Sequence, residues 1–406
     1  MALSPAIVPS CSLAPNKSVV LGFAPDGSSL GSSTARVSIV SASGNGGIPM
    51  RSGSFPLRCT GSSMISRKHV ICSAMAPAAS TEAEYAMGSP KMKELMAFLE
   101  KDLPHLFDDQ GIDKNMYDEK VDFVDPITKY NSLGGYLFNI QMLRRLFEPI
   151  FELHSLKQTG PTEITTRWTM TMTPVILPWR PQLIFTGTSV MTVNPETGRF
   201  NSHVDFWDSI KNNDYFSIEA LQDVLGQLQI YKTPDLETPK YRVLKRTGAY
   251  EVRQYEQFLV AETPSDELVG NKGFNEVAGY LFGKNTTGEK MKMTTPVFNM
   301  SAGEGSQLQF VLPLKSELST VPGPLSEQVK LRAVDKTFAA AVKFNGQTTQ
   351  ELILEKESKL RAAVISNGLQ PEEGYLLARY NDPGRTKPFM RRNEVIIWLK
   401  DFSLEV

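Results

Sequence analysis

Apolar positions recur with a helical period at the start of the body of the chain. Leu95, Phe98, Leu99, Leu103 and Leu106 fall three to four apart, behind Ser89-Pro90, which supplies a cap and a first-turn proline. A second helix is expected over Ser132–Pro149, with Leu137, Ile140, Leu143, Leu146 and Phe147 on one side. The period then changes to two. In Thr165–Thr173, the residues Trp168, Met170 and Met172 alternate with Thr169, Thr171 and Thr173. Leu183–Val193 and Arg199–Asp208 read as two more strands. Between them Asn194-Pro195-Glu196-Thr197-Gly198 is a turn, because Pro presets one dihedral and Gly permits positive φ. Helices followed by a long antiparallel sheet predict an α+β domain over residues 88–225.

Thr233–Pro239 is a proline-bearing linker. Beyond it, over residues 235–406, one pattern occurs twice. Tyr241–Glu262 gives paired strands, Asn271–Phe282 a helix, then Met291–Phe298 and Leu308–Leu312 strands. Val329–Phe344 gives strands, Thr348–Asn367 a helix, then Glu373–Tyr380 and Asn393–Leu399 strands. The second helix starts at a capping box, Thr348-Thr349-Gln350-Glu351, and stops at Asn367-Gly368. Two strand–helix–strand–strand units predict a pseudo-duplicated α+β barrel flanked by two helices.

Composition narrows the function classes. Apolar residues at 41% and charged residues at 21% are globular values, and no apolar run is long enough for a membrane helix. The net charge of −1 hides an asymmetry: residues 1–80 carry six basic residues and one acid, Asp26, which leaves the rest of the chain at −6. An acidic body argues against nucleic acid as partner. The three cysteines, Cys11, Cys59 and Cys72, all lie in the first eighty residues, so the body has no thiolate for haem ligation or nucleophilic catalysis. Residues 1–80 are rich in Ser, Ala, Pro and Gly and lack the apolar core of a secretory signal. They read as a disordered chloroplast transit peptide, cut near Val70-Ile71-Cys72-Ser73-Ala74, which implies the plastid stroma.

In the last 170 residues or so, specific motifs occur in order and at compatible spacing. Tyr250-Glu251-Val252-Arg253-Gln254-Tyr255 opens the series, and Gly279-Tyr280-Leu281-Phe282-Gly283-Lys284-Asn285 leads into Lys290-Met291-Lys292-Met293-Thr294-Thr295-Pro296-Val297. Phe310-Val311-Leu312-Pro313, Ala378-Arg379-Tyr380-Asn381-Asp382-Pro383 and Arg391-Arg392-Asn393-Glu394-Val395 complete it. Residues 235–406 thus resemble a SOUL haem-binding domain. The resemblance implies a distorted antiparallel β-barrel with two flanking helices. It also implies haem or a related tetrapyrrole, bound reversibly and non-covalently in an apolar groove at the first helix and neighbouring strands.

A porphyrin is a flat apolar plate with two anionic propionates, so it asks for apolar walls and cations at the rim. The resemblance places the site at Asn271, Lys272, Phe274, Val277, Ala278 and Leu281 on the helix, Met291 and Met293 on the next strand, and Lys387. Arg385 is a second candidate cation. The four histidines are His69, His105, His154 and His203, so this region has none and the axial ligand stays open between Tyr, Met, His203 or another middle-region group reaching across, and no ligand at all. The expected role is a carrier, buffer or delivery protein, with haem-consuming plastid enzymes as recipients.

The middle region resembles the cone fold of nuclear transport factor 2 and ketosteroid isomerase, and an uncharacterised domain that plants couple to SOUL domains. Its candidate chemistry is Asn201-Ser202-His203-Val204-Asp205-Phe206-Trp207. Alternation puts Asn201, His203, Asp205 and Trp207 on one face, an acid/base pair if His203 meets Asp205. The alternative is a strand with a polar outer face and Val204 and Phe206 in the core. Two competing functions follow: a small-molecule isomerase, dehydratase or hydrolase in the cone, or a ligand-dependent scaffold like the bacterial sensors built on similar barrels.

Overall fold

The computed structural model describes residues 83–230, 233–265, 273–302 and 305–404. The transit-peptide reading, Asn271 and Lys272 therefore fall outside the described residues.

The first half runs α1 (Pro90–Asp102), β1 (Tyr117–Val124), β2 (Lys129–Tyr130), α2 (Leu133–Leu146), β3 (Phe147–Gln158), β4 (Glu163–Pro174), β5 (Leu183–Asn194), β6 (Arg199–Trp207) and α3 (Ile218–Leu228). Each helix begins at a serine whose Oγ accepts a backbone N–H three residues on: Ser89 from Met92, Ser132 from Gly135, Ser217 from Ala220. The second helix stops at Leu146, short of the expected Pro149. Pro149 disfavours helical backbone at Glu148, and the chain turns into a long strand whose first three residues the sequence reading places at the end of the helix. The turn after β5 closes as expected, with Gly198 at φ +68° donating to the Asn194 carbonyl at 2.8 Å.

The six strands lie in the order β2-β1-β6-β5-β4-β3. All neighbours are antiparallel except β1 and β6, which run parallel; the sequence pattern had suggested an antiparallel sheet throughout. Residues from α1, α2, β1 and β6 form one core on the inner face, and Trp168, Met172, Phe185 and Trp207 form another with α3. This is the helix-covered, curved sheet of a cone fold. Gly187 permits the tight curve: a Cβ there would stand 2.2 Å from the Phe206 carbonyl oxygen.

The second half runs β7 (Tyr241–Arg246), β8 (Glu251–Tyr255), β9 (Phe258–Ser265), α4 (Phe274–Leu281), β10 (Val297–Ala302), β11 (Gly305–Val311), β12 (Lys330–Val334), β13 (Thr337–Asn345), α5 (Gln350–Ser366), β14 (Tyr375–Arg379) and β15 (Arg392–Leu399). The strands form one curled antiparallel sheet in the order β12-β9-β11-β10-β14-β15-β13-β8-β7, a half-barrel with two open edges. The duplication inferred from the pattern is visible in the pairing. Strands β10 and β14 meet at the centre, with β11 and β15 outside them. The leading strand of each unit crosses to the other, β8 onto β13 and β12 onto β9.

Helix α4 covers the cluster of Leu259, Leu308 and Phe310, and α5 covers Val252, Leu377 and Ile397, on the same side of the sheet. Thr349, one residue later than the expected box, caps α5 by accepting from Leu352 N. The strand expected from Met291 starts at Val297. Pro296 has no N–H to give to a ladder, so pairing begins only after it.

The described residues form one compact unit. Where the threonine face of β4 and β5 points away from the cone interior, β7 packs on it. Thr169 Oγ1 donates to the Val243 carbonyl at 2.6 Å, and Arg246 N donates to Thr186 Oγ1 at 2.7 Å.

Candidate functional site

Val297, Arg379 and Asn393 sit opposite one another on β10, β14 and β15, so their side chains share one face of the sheet. That face carries the two helices, and these three residues floor a cleft between them. Phe274 of α4 forms one wall and Gly346 and Thr348, just ahead of α5, the other. Pro234 and Leu236, from the supposed linker, line one side. The linker is fixed there because Glu237 O accepts from Thr295 N at 2.9 Å. The loop between β14 and β15 forms the rim. The cleft holds about 720 Å³, within the ~300–1,000 Å³ range of small-molecule and cofactor sites.

Its walls are apolar and its charges mostly cationic. Leu236, Phe274, Met293 and Val297 supply apolar surface; Arg379, Arg385 and Arg391 supply charge. Arg391 is spent on the loop, donating to the carbonyls of Thr386 and Pro383. Arg385 is 90% exposed in its side chain and lies 3.5 Å from Asp382. Arg379 differs from both. No carboxylate among the described residues pairs with it, its Nε is buried without a hydrogen-bond partner, and burial pushes the guanidinium below its ordinary value. A half-buried cation without a carboxylate partner, facing an apolar cleft, is electrostatically incomplete, and an anion entering the cleft would complete it.

Tyr380 borders the cleft, but its ring packs in the core with Tyr255 and Phe298 and its hydroxyl donates to Glu394 Oε2 at 2.9 Å. Glu394 is fully buried and also takes both Arg253 and Arg392. The Arg392 guanidinium lies 4.3 Å over the Tyr380 ring. This network holds the floor of the cleft rigid and leaves the Tyr380 oxygen engaged.

The residues expected from sequence divide. Phe274 and Met293 line the cleft. Phe274 is fixed edge-on to Phe310, with ring centroids 5.1 Å apart. Val277 and Leu281 point into the α4 core and are 0% and 1% exposed, so they support Phe274 from behind and present no open wall. Ala278 is buried as well. Met291 packs with the same core, in extended chain ahead of the strand. Lys387 is exposed on the rim, next to the lining residue Thr386, and heads the short turn Pro388–Met390. Sequence reasoning did not single out Arg379 as a site residue. The signal was there: alternation in Leu377-Ala378-Arg379 sets this cation on the face that Leu377 shares with the α5 core.

In the cone, His203, Asp205 and Trp207 face inward, whereas Phe206 is 41% exposed, so the outer-face alternative is overturned. A bulge at Asn201 puts Phe200 on the inner face in its place. His203 Nε2 stands 3.0 Å from Asp205 Oδ1, closer than the ~7 Å between strand neighbours at the Cβ atoms suggested, because the two side chains lean together. Ser189 Oγ donates to the same oxygen at 2.6 Å and accepts from Trp168 Nε1 at 2.7 Å. His203 Nδ1 lies 2.9 Å from Tyr136 Oη. A carboxylate only accepts, so Nε2 carries the proton and Nδ1 accepts from the tyrosine, whose hydroxyl burial keeps protonated. Both ring nitrogens are engaged.

The half-barrel with two helices over a cationic, apolar cleft defines a ligand-binding domain. Residues 236–398 match the model of the SOUL heme-binding protein family, and this part of the chain is a SOUL domain. Residues 93–203 match the model of an uncharacterized conserved protein family (DUF2358). Heme-binding protein 2 of Homo sapiens is 29% identical over 199 residues, covering 45% of this chain and 94% of that protein. Among solved structures, an NTF2-like protein of unknown function from Exiguobacterium sp. 255-15 is similar over 30% of this chain and 99% of its own, at 13% identity and a TM-score of 0.23. The EcmrR C-terminal domain is similar over 40% and 99%, at 8% identity and a TM-score of 0.30.

Proposed function

We propose that the protein binds haem or a related tetrapyrrole reversibly in the cleft between α4 and α5, and serves as a carrier or buffer. The carrying observation is Arg379, a half-buried cation with no counter-charge among the described residues, in an apolar cleft of about 720 Å³. A propionate would supply the missing anion while the ring lies against Phe274, Val297 and Leu236. Lys387 and Arg385, on the rim, are placed to meet the second propionate. Met293 is the only sulfur among the described lining residues, and the Tyr380 hydroxyl is engaged elsewhere, so affinity rests on apolar contact and charge rather than on iron ligation. That suits release to haem-consuming enzymes. The composition of the first eighty residues supports a plastid address. The SOUL match and the similarity to a heme-binding protein support the ligand class.

The test is titration of the full chain with haemin, followed at the Soret band. Saturation at one macrocycle per chain is the expected result. No uptake at micromolar haemin would overturn the reading.

A further inference from the structure

The cone encloses a second cavity, of about 240 Å³, that belongs to no part of the cleft described above. It is smaller than the ~300–1,000 Å³ of cofactor-sized sites, so it cannot take a macrocycle. Its walls are mostly aromatic and aliphatic, among them Phe123, Phe151, Trp168, Met172 and Trp207. At one end stand the Tyr136–His203–Asp205–Ser189 chain and Asn139.

Three polar atoms there, Asp205 Oδ2 and the Asn139 side-chain oxygen and nitrogen, make no hydrogen bond among the described residues. Asp205 Oδ1 accepts from Ser189 and lies 3.0 Å from His203 Nε2, and no hydrogen bond among the described residues falls on its Oδ2. Asn139, only 2% exposed, has its side-chain oxygen buried without any partner. A buried unpaired acceptor costs roughly 1–3 kcal/mol, which an occupant that donates to it recovers. Asp205 Oδ2 can only accept, so the occupant must bring a hydrogen-bond donor to it.

Charge narrows the class further. The lining includes two carboxylates, Asp125 and Asp205, and no lysine or arginine. Anions are therefore rejected, including any carboxylate-bearing fragment. An ammonium would bring three donors to two open acceptors and leave one buried and unpaired, whereas a hydroxyl brings one.

We propose that the cone cavity is a second binding site, for a small uncharged ring compound whose hydroxyl donates to Asp205 Oδ2 or to the Asn139 side-chain oxygen. His203 is a positioning residue here. With both nitrogens engaged it holds the Asp205 carboxylate in place, and Tyr136 holds the imidazole. This site is independent of the tetrapyrrole reading, and its failure would leave that reading untouched.

The experiment is fluorine NMR of the full chain with 4-fluorophenol, and with 4-fluoroanisole, which keeps the ring and lacks the donor. Saturable binding of the phenol, at least tenfold tighter than the anisole, is expected. Asp205→Asn should reduce that preference several-fold, and Leu143→Trp, which fills the cavity, should abolish binding. Should Asp205→Asn melt early, Asn139→Ala gives the same reading, because it removes an atom that bonds to nothing in the fold. Failure of the phenol to bind, equal binding of the anisole, a preference unchanged in both polar variants, or binding that persists in a folded Leu143→Trp would each overturn the proposal.

Discussion

Arg246 of β7 and Asp223 of α3 face each other across the junction of cone and half-barrel, joined by two parallel N–H···O bonds of 2.8 Å. Both side chains are nearly nine-tenths buried. The pair belongs with Thr169–Val243 and Thr186–Arg246, so β7 is tied to the cone as well as to its own sheet. Asp223→Ala leaves a guanidinium largely buried and unpaired, a loss of about 3 kcal/mol. Calorimetry should show one transition for the native chain and a lower, split transition for the variant. An unchanged melt would mean that the two halves fold independently.

A second prediction concerns the charges inside the half-barrel. Arg253 and Arg392 meet on Glu394, and Lys343 joins Arg253 on Glu251. Glu394→Gln should destabilise by about 3–5 kcal/mol, since Arg392 loses its counter-charge and Arg253 keeps only Glu251. Chemical denaturation at neutral pH measures this. A loss below about 1 kcal/mol would contradict the coupling drawn here.

The same network sets an acid limit. Burial disfavours the charged Glu251, but Lys343 and Arg253 outweigh it and hold the carboxyl down to about 2. Arg253 and Arg392 likewise overcome burial and hold Glu394 well below the ordinary range. A depressed folded value means that the contribution is complete above the unfolded value of ~4 and is lost as pH falls through about 2. Denaturation midpoints should fall steeply between pH 4 and 2, and less steeply in Glu251→Gln.

Asp125 has the opposite sign. Burial raises it to about 6, against hydrogen bonds from Thr128 that pull it down. The folded state therefore holds this proton more tightly than the unfolded chain, and ionisation costs stability as pH rises from ~4 through about 6. Asp125→Asn should be more stable than the native chain at pH 7, by roughly 1–3 kcal/mol, and level with it near pH 4. Greater stability of the native chain at pH 7 would show that the carboxylate's bonds in its turn outweigh its desolvation.

Arg379 separates a functional cation from a structural one. Removing a structural arginine lowers the melting temperature. Arg379→Gln deletes a half-buried charge that has no carboxylate partner among the described residues, so the ligand-free variant should melt at or above the native chain. A lower melting temperature would assign Arg379 to the fold.

Much of the fold was legible because it is written in local chemistry. Serine caps, the Gly198 turn and the change of period from helix to strand each act within a few residues. The misplacements share a cause. Pro149 ended a helix that the apolar period alone would continue, and Pro296 delayed a strand that alternation alone would start. The site was less legible because contacts distant in sequence make it. Phe274 and Met293 could be read from the motifs, but Leu236 enters the cleft only because the linker is bound at Thr295. Val277 and Leu281 have the right character for a groove, yet helical phase turns them into the core. His203 and Asp205 were rightly placed on one face; a bulge at Asn201 and the packing of Phe123 and Tyr136 around the imidazole decided that the face was inner.

The central claim is that a tetrapyrrole sits between the two helices, against Phe274 and Arg379. The most direct measurement compares haemin affinity in the native chain with that in the Phe274→Ala, Arg379→Gln double variant. A loss of at least tenfold, about 1.4 kcal/mol, with the far-ultraviolet spectrum unchanged, is predicted. Equal affinity in the two proteins would contradict the placement.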